Sequence, residues 1–158
     1  MSKLRIGIIG GGLDSAVGRA HISALRMDGK YELAPSIFSR DEKINYDSHK
    51  AYNMAWEGTQ KNLVTYLDQY GKDLDLVLVA TPSVNHSKEC QLLIERKIPF
   101  VTEKPVACSI QELKSLTASI NKEPNLYARF IHNYSGYPQF RELTLMIKKG
   151  MIGRITNL

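Results

Sequence analysis

Residues 7–21 read GIIGGGLDSAVGRAH. A short apolar run rich in isoleucine, Leu4–Ile9, ends in three consecutive glycines, Gly10 to Gly12. Such a run bounded by glycine reads as a buried strand. Beyond the glycines, Ser15–Met27 carries Ala16, Val17, Ala20, Leu25 and Met27 and reads as a helix ending near Asp28-Gly29. Strand, glycine turn and helix together form the opening unit of an α/β fold, and the rest of the chain repeats the alternation.

Tyr31–Phe38 is the next expected strand, with Pro35 marking it as an edge or a bulge. Asp41–Tyr52 is polar and reads as a short helix or a loop. Asn62–Tyr70 shows one apolar helical face, closed by Gly71. Leu74–Ala80, LDLVLVA, is the strongest strand, and its unalternating Val/Leu run implies burial on both faces, as in a parallel sheet. A helix over Asn85–Arg96 and a strand over Ile98–Thr102 follow. Next come a helix over Ser109–Ile120 with Ser109 and Glu112 as a capping box, and a strand over Leu126–Ile131. Pro138–Lys149 is an amphipathic helix closed by Gly150, and Ile152–Leu158 opens a further strand. Strands alternating with helices imply βαβ units, and so a doubly wound, Rossmann-like parallel sheet.

The 158 residues allow one domain with a sizeable core. Hydrophobic residues at 43% and charged residues at 23% are ordinary for a globular chain. The net charge of +5 is spread over Lys43, Lys50, Lys61, Lys72, Lys88, Lys97, Lys104 and Lys148 without a like-charge block. A solvated basic surface is the simpler reading, and no nucleic-acid partner is expected. No apolar stretch is long enough to span a membrane, and the N-terminus lacks the pattern of a secretory leader. The two cysteines, Cys90 and Cys108, belong to no metal-ligand cluster. They read as buried or half-buried free thiols in a reducing, cytoplasmic setting.

In a doubly wound sheet, ligands bind beyond the carboxyl ends of the strands. Gly10 would permit a tight turn there, and Gly12 would let the main chain approach a diphosphate without a Cβ in the way. The following helix offers unpaired N–H groups and a positive dipole end. This is the physical content of a dinucleotide fingerprint, although the spacing departs from the minimal pattern. Ser15 serves as an early-helix residue, or Gly18 supplies the close helix–sheet contact three residues late. At the end of the second strand, where an acid would accept from ribose hydroxyls, the chain has Phe38-Ser39-Arg40. Ser39 and Arg40 could hold a 2′-phosphate, which leans the cofactor NAD(P) towards NADP(H). Arg40 could equally stack on adenine in an NAD(H) site.

ATPSVNH at 80–86 and VTEKPVA at 101–107 also follow strands, and so face the same edge as the glycine loop. With that loop, they resemble the glucose–fructose oxidoreductase, inositol dehydrogenase and rhizopine catabolism (Gfo/Idh/MocA) family. Glu103-Lys104-Pro105 is the most specific element, and HNYSGYPQFRELTLMIKKGMIGRI at 132–155 resembles the family's passage into its second domain. The usual glycine motif GxGxxGxxH here becomes GGGLDSAVGRAH, with three residues inserted before Gly18-Arg19-Ala20-His21.

The resemblance implies a division into a nucleotide domain, 1–131, and a linker helix with the first strand of a truncated second α+β domain, 132–158. It implies that Gly10, Gly12 and Leu13 line the diphosphate, and that Ser39 and Arg40 face the adenosine ribose. Thr81, Pro82, Asn85 and His86 would border the nicotinamide. Glu103 and Lys104 would lie by the nicotinamide ribose and substrate, with a cis bond before Pro105. The implied chemistry is hydride transfer to or from a sugar, inositol or related polyol. Lys104 would be the catalytic group that moves the hydroxyl proton, provided partial burial and neighbouring charge tune it. A fragment of this kind should bind nucleotide but turn over poorly, and should expose apolar surface. The full-length protein would be a homo-oligomer.

Plainer readings stand beside these. His21 reads as structural rather than catalytic, His86 as a cap or a ligand contact, and Asn133 and Tyr134 as loop residues; His49 and His132 carry no assignment. A non-catalytic nucleotide-binding regulator on the same fold is the main alternative. A methyltransferase that binds S-adenosylmethionine is another, disfavoured by TEKP at 102–105.

Overall fold

The structure is a computed structural model that describes residues 2–56 and 62–157; of the expectations above, Lys61 and Leu158 lie outside this range. Eleven regular elements are named in chain order: β1 (Leu4–Gly10), α1 (Ala16–Arg26), β2 (Tyr31–Leu33), α2 (Glu42–Ala51), α3 (Leu63–Tyr70), β3 (Leu76–Ala80), α4 (Ser83–Glu95), β4 (Phe100–Thr102), α5 (Ile110–Ile120), β5 (Ala128–Phe130) and α6 (Pro138–Lys148).

The five strands form one sheet in the order β2-β1-β3-β4-β5, and every neighbouring pair is parallel. The order reverses between β1 and β3, so the topological switch point lies beyond the carboxyl ends of these two strands. Side chains alternate along each strand and feed two cores. Ile6, Ile8 and Leu78 pack with Ile22 of α1 on one face. Ile9, Val77 and Val79 pack with α3, α4 and α5 on the other, through Tyr66, Leu67, Leu93 and Leu116. Val77 and Val79 are fully buried and Leu78 is 5% exposed. Burial of each contributes about 1.5–3 kcal/mol relative to exposure, which is why this run needs no polar alternation.

Several boundaries differ from the sequence expectation. The second strand stops at Leu33, and Ile37 touches β1 only through an isolated bridge to Ile9. Beside Pro35 the Ser36 hydroxyl is inserted between the Ile8 N–H and the Ala34 carbonyl, at 3.0 and 2.9 Å, and Ile37 rather than Ser36 donates to the Ile8 carbonyl, so the ladder slips by one residue. The polar segment after Asp41 is a full helix, capped by the Asp41 carboxylate, which accepts from the Ile44 N–H at 2.9 Å. Gly71 does not close α3 with a left-handed turn: its φ is −56°. A side chain there would meet Ile98 Cδ1 at 2.8 Å, so packing explains the glycine. The expected strand from Ile152 does not form within the described residues. The chain turns after α6 through Met151 N–H to the Met146 carbonyl, and a strand without a paired neighbour has no stable form. Cys90 is buried as expected, but Cys108 is exposed, because it precedes the Ser109 cap at the surface end of α5. No helix among the described residues is long and apolar enough to cross a membrane.

Candidate functional site

The end of β1 is shaped by main-chain geometry. Gly10 and Gly11 take φ values of +80° and +67°, the left-handed region that side chains resist. Ser15 caps α1, its hydroxyl accepting from the Gly18 N–H at 3.1 Å. A Cβ on Gly18 would lie 1.9 Å from the Gly11 carbonyl oxygen. Of the two readings of the inserted residues, the structure therefore realises both: Ser15 starts the helix, and Gly18 supplies the close helix–strand contact. Asp14, Ser15 and Val17 put the open first turn of α1 on the wall of a cleft of about 830 Å³. A first helical turn has N–H groups without intrahelical partners, so this wall suits an anion.

Polar residues of α2 support the loop from behind. The Ser48 hydroxyl accepts from the Leu13 N–H at 2.9 Å and donates to the Ile44 carbonyl at 2.7 Å. Asn45 Oδ1 accepts from the Phe38 N–H at 2.9 Å. His49 Nδ1 donates to the Asn45 carbonyl at 2.8 Å, while its Nε2 faces the Ser36 N–H at 3.4 Å. Burial holds the His49 pKa below the ordinary histidine value, in keeping with a neutral ring that donates on one side and accepts on the other.

The opposite end of the cleft is held by side chains. Thr81 donates its hydroxyl to Glu89 at 2.5 Å. Burial pushes the Glu89 carboxyl above its usual range, with the Thr81 hydrogen bond opposing. His86 is 1% exposed, and its ring nitrogens lie 2.7 Å from the Thr81 and Pro105 carbonyl oxygens. The Lys104–Pro105 bond is cis. Glu103 accepts from the Lys104 N–H at 3.2 Å and lies 2.7 Å from His21 Nε2.

The structure brings ten of the eleven sequence-derived positions to one cleft, from Gly10, Gly12, Ser39 and Arg40 at one end to Thr81, Pro82, Asn85, His86, Glu103 and Lys104 at the other. Leu13 is the exception among the described residues: it is not on the cleft wall, and its N–H is committed to Ser48. Gly12 lines the cleft, but its missing Cβ would point at Ser48 Oγ and the Phe38 carbonyl, at 3.1 and 3.3 Å. Internal packing thus gives a reason for glycine at this position. His86 borders the cleft, and its ring lies between the Thr81 and Pro105 carbonyls that follow β3 and β4. Lys104 is exposed, so the partial burial expected to tune it is not met in this chain. Sequence reasoning missed Glu89, which lines the cleft. The available signal was its spacing, one turn on from His86. Among the described residues no cluster of His, Cys, Asp or Glu is arranged to hold a metal.

With this geometry in view, comparison with known proteins is decisive for the family. Residues 4–130 match the family described as "Oxidoreductase family, NAD-binding Rossmann fold". The chain belongs to the Gfo/Idh/MocA oxidoreductase family. It is 28% identical over 156 residues to the uncharacterized oxidoreductase YfiI of Bacillus subtilis, covering 96% of this chain and 39% of that protein. It is 26% identical over 160 residues to a levoglucosan dehydrogenase of Pseudarthrobacter phenanthrenivorans, covering 98% and 40%. An inositol dehydrogenase homolog from Azotobacter vinelandii, solved with NADH and myo-inositol, superposes with a TM-score of 0.88 at 23% identity, covering 98% of this chain and 41% of that one. The last likeness speaks to the fold alone. The chain spans about two fifths of the length of these relatives. As a member of this family it carries an NAD-binding Rossmann domain.

Proposed function

We propose that this chain is the dinucleotide-holding part of an oxidoreductase that moves hydride to or from a sugar, inositol or related polyol. The observation that carries the proposal is that Gly10–Gly12 and Lys104 open onto one cleft. The levoglucosan dehydrogenase among its relatives supports the substrate class by analogy. The bound nicotinamide would supply the hydride chemistry. The protein's part is to bind and orient. Gly10, Gly12 and the first turn of α1 take the diphosphate. Ser39 and Arg40 take the adenosine ribose, Thr81, Pro82 and Asn85 border the nicotinamide, and Glu103 meets its ribose. Lys104 hydrogen-bonds the reacting hydroxyl and carries its proton.

The lean towards NADP(H) rests on Ser39 and Arg40. Asp41, the nearest acid, caps α2 through Oδ1. The family description names NAD. The free thiols of Cys90 and Cys108 suit a cytoplasmic setting. The division of the chain at residues 131 and 132, and homo-oligomerisation of the whole protein, belong to the same reading.

Titration of this chain with NADH, NADPH and S-adenosylmethionine, read by dihydronicotinamide fluorescence and calorimetry, tests the proposal. Both dinucleotides should bind, S-adenosylmethionine should not, and Arg40→Ala should weaken NADPH about tenfold more than NADH, or ~1.4 kcal/mol. A chain that binds neither dinucleotide overturns the cofactor reading. In a protein spanning the relatives' full length, Lys104→Ala should lower turnover with polyols about 100-fold or more. Unchanged turnover leaves the non-catalytic regulator as the better reading.

A further inference from the structure

We propose that His21 is a positioning residue for Glu103, setting the carboxylate that meets the cofactor. The proposal rests on the reading that this cleft holds a nicotinamide dinucleotide. Glu103 is the first residue beyond β4. Its N–H still donates to the Val79 carbonyl at 2.9 Å, so the sheet determines where its side chain begins. The side chain itself has three free torsions and, unrestrained, would lose substantial rotamer entropy on meeting a ligand. Here both carboxylate oxygens are tied. Oε1 lies 2.7 Å from His21 Nε2, and Oε2 accepts from the Lys104 N–H at 3.2 Å. Each oxygen keeps a lone pair, and Glu103 lines the cleft beside Lys104. A carboxylate held this way is ready to accept from a hydroxyl pair such as a ribose diol.

The placement of His21 follows from the glycine loop. Gly18 sits against Gly11, where a Cβ would be 1.9 Å from the carbonyl oxygen, and this contact determines the rotation of α1. His21 is three residues on, so it lies on the same inward face. From there it crosses to the end of β4, two strands away in the sheet order. The side chains are 22% and 15% exposed, so the pair is sheltered without being sealed off. One spacing, Gly18 to His21, therefore joins the diphosphate end of the cleft to the nicotinamide end. A group that immobilises a binding side chain raises affinity by reducing what must be ordered on binding.

The competing account is a bridge that merely fastens α1 to the sheet. A double-mutant cycle read by NADH affinity separates the two. His21→Ala and Glu103→Ala should each weaken NADH about tenfold, and the double variant should be no weaker than about threefold beyond either one. His21→Gln, which keeps a donor in reach of the Nε2 position, should recover affinity to within about threefold of the parent. It also guards against a poorly folded alanine variant, with denaturation midpoints measured alongside. A His21→Ala chain that is less stable but binds NADH as the parent does overturns the proposal, as does a double variant weakened about 100-fold by simple addition. If the parent binds neither NADH nor NADPH, the cofactor reading falls and this inference falls with it.

Discussion

Helices α2 and α6 have compositions that predict the opposite of what each does. The sequence of α2, EKINYDSHKA, is mostly polar, yet Asn45, Ser48 and His49 are 1%, 0% and 3% exposed while Ile44 and Tyr46 are exposed. The sequence of α6, PQFRELTLMIK, carries a clear apolar face, yet Phe140, Leu143 and Leu145 are 50%, 43% and 48% exposed. Among the described residues α6 contributes none to the core. The difference lies in what each helix faces. From Ala34 to Phe38 the second strand leaves the regular ladder, stranding the main-chain N–H groups of Ser36 and Phe38. Asn45 and His49, one turn apart on α2, supply the acceptors those groups need, Ser48 accepts from the Leu13 N–H, and the cost of burying these side chains is offset by the bonds made. An amphipathic pattern tells which side of a helix is apolar; it does not tell whether anything covers it.

The largest test of this contrast is Asn45→Leu, a substitution that by hydropathy alone should favour burial. It leaves the Phe38 N–H without its acceptor, and denaturant unfolding should record a loss of about 1–3 kcal/mol. Asn45 Nδ2 itself has no partner among the described residues, so the gain from removing it places the result towards the lower part of that range. A neutral or stabilising outcome would break the comparison on the α2 side.

A smaller effect is expected from pH. Burial lowers the His49 pKa from 6.5, so the unfolded chain takes up a proton there more readily than the folded one. The stability from the neutral buried ring is fully present above the unfolded value and declines as pH falls from about 6.5 towards the depressed folded value. Glu89 acts with the opposite sign: its raised pKa makes stability fall as pH rises from its ordinary value of 4.5. Denaturation midpoints for the parent and His49→Phe, taken from pH 8 to pH 5, should therefore differ in slope. Glu89 cancels in the difference, and the parent should lose stability relative to the variant as pH falls below 6.5. Parallel curves would mean that His49 is not held neutral by burial.

The smallest effect belongs to α6. Leu143→Glu exchanges an exposed apolar side chain for a good helix former, and its unfolding free energy should stay within about 0.5 kcal/mol of the parent. A loss above about 1 kcal/mol would show that this face is packed, and would remove the other half of the comparison.

Much of the site was legible because it depends on local chemistry. A strand ending in Gly10-Gly11-Gly12 needs left-handed backbone that only glycine supplies cheaply. Ser15 and Ser109 announce helix starts through a side-chain oxygen three residues from its donor, as the structure bears out at Gly18 and Glu112. Leu74–Ala80 declared burial on both faces. Glu89, which sequence reading missed, has a partner only eight residues away, but other cleft-side residues have partners far along the chain. Leu13 is expected at the diphosphate from sequence, but Ser48, 35 residues on, takes its N–H. His21 reads as structural from sequence, and the partner that gives it that place, Glu103, is 82 residues on. His86 reads from sequence as a cap or a ligand contact, and the Pro105 carbonyl beside its ring is 19 residues on.

By itself, then, the sequence determined the α/β alternation, the glycine turn at the first strand and the helix caps. All of these rest on dihedral preferences and hydrogen bonds between residues a few positions apart. Only the tertiary structure decided which side chains share the cleft, which of their polar atoms remain free, and which helix faces are covered. Those outcomes depend on pairings across the sheet that bring together residues remote in sequence, and no local preference encodes the partner.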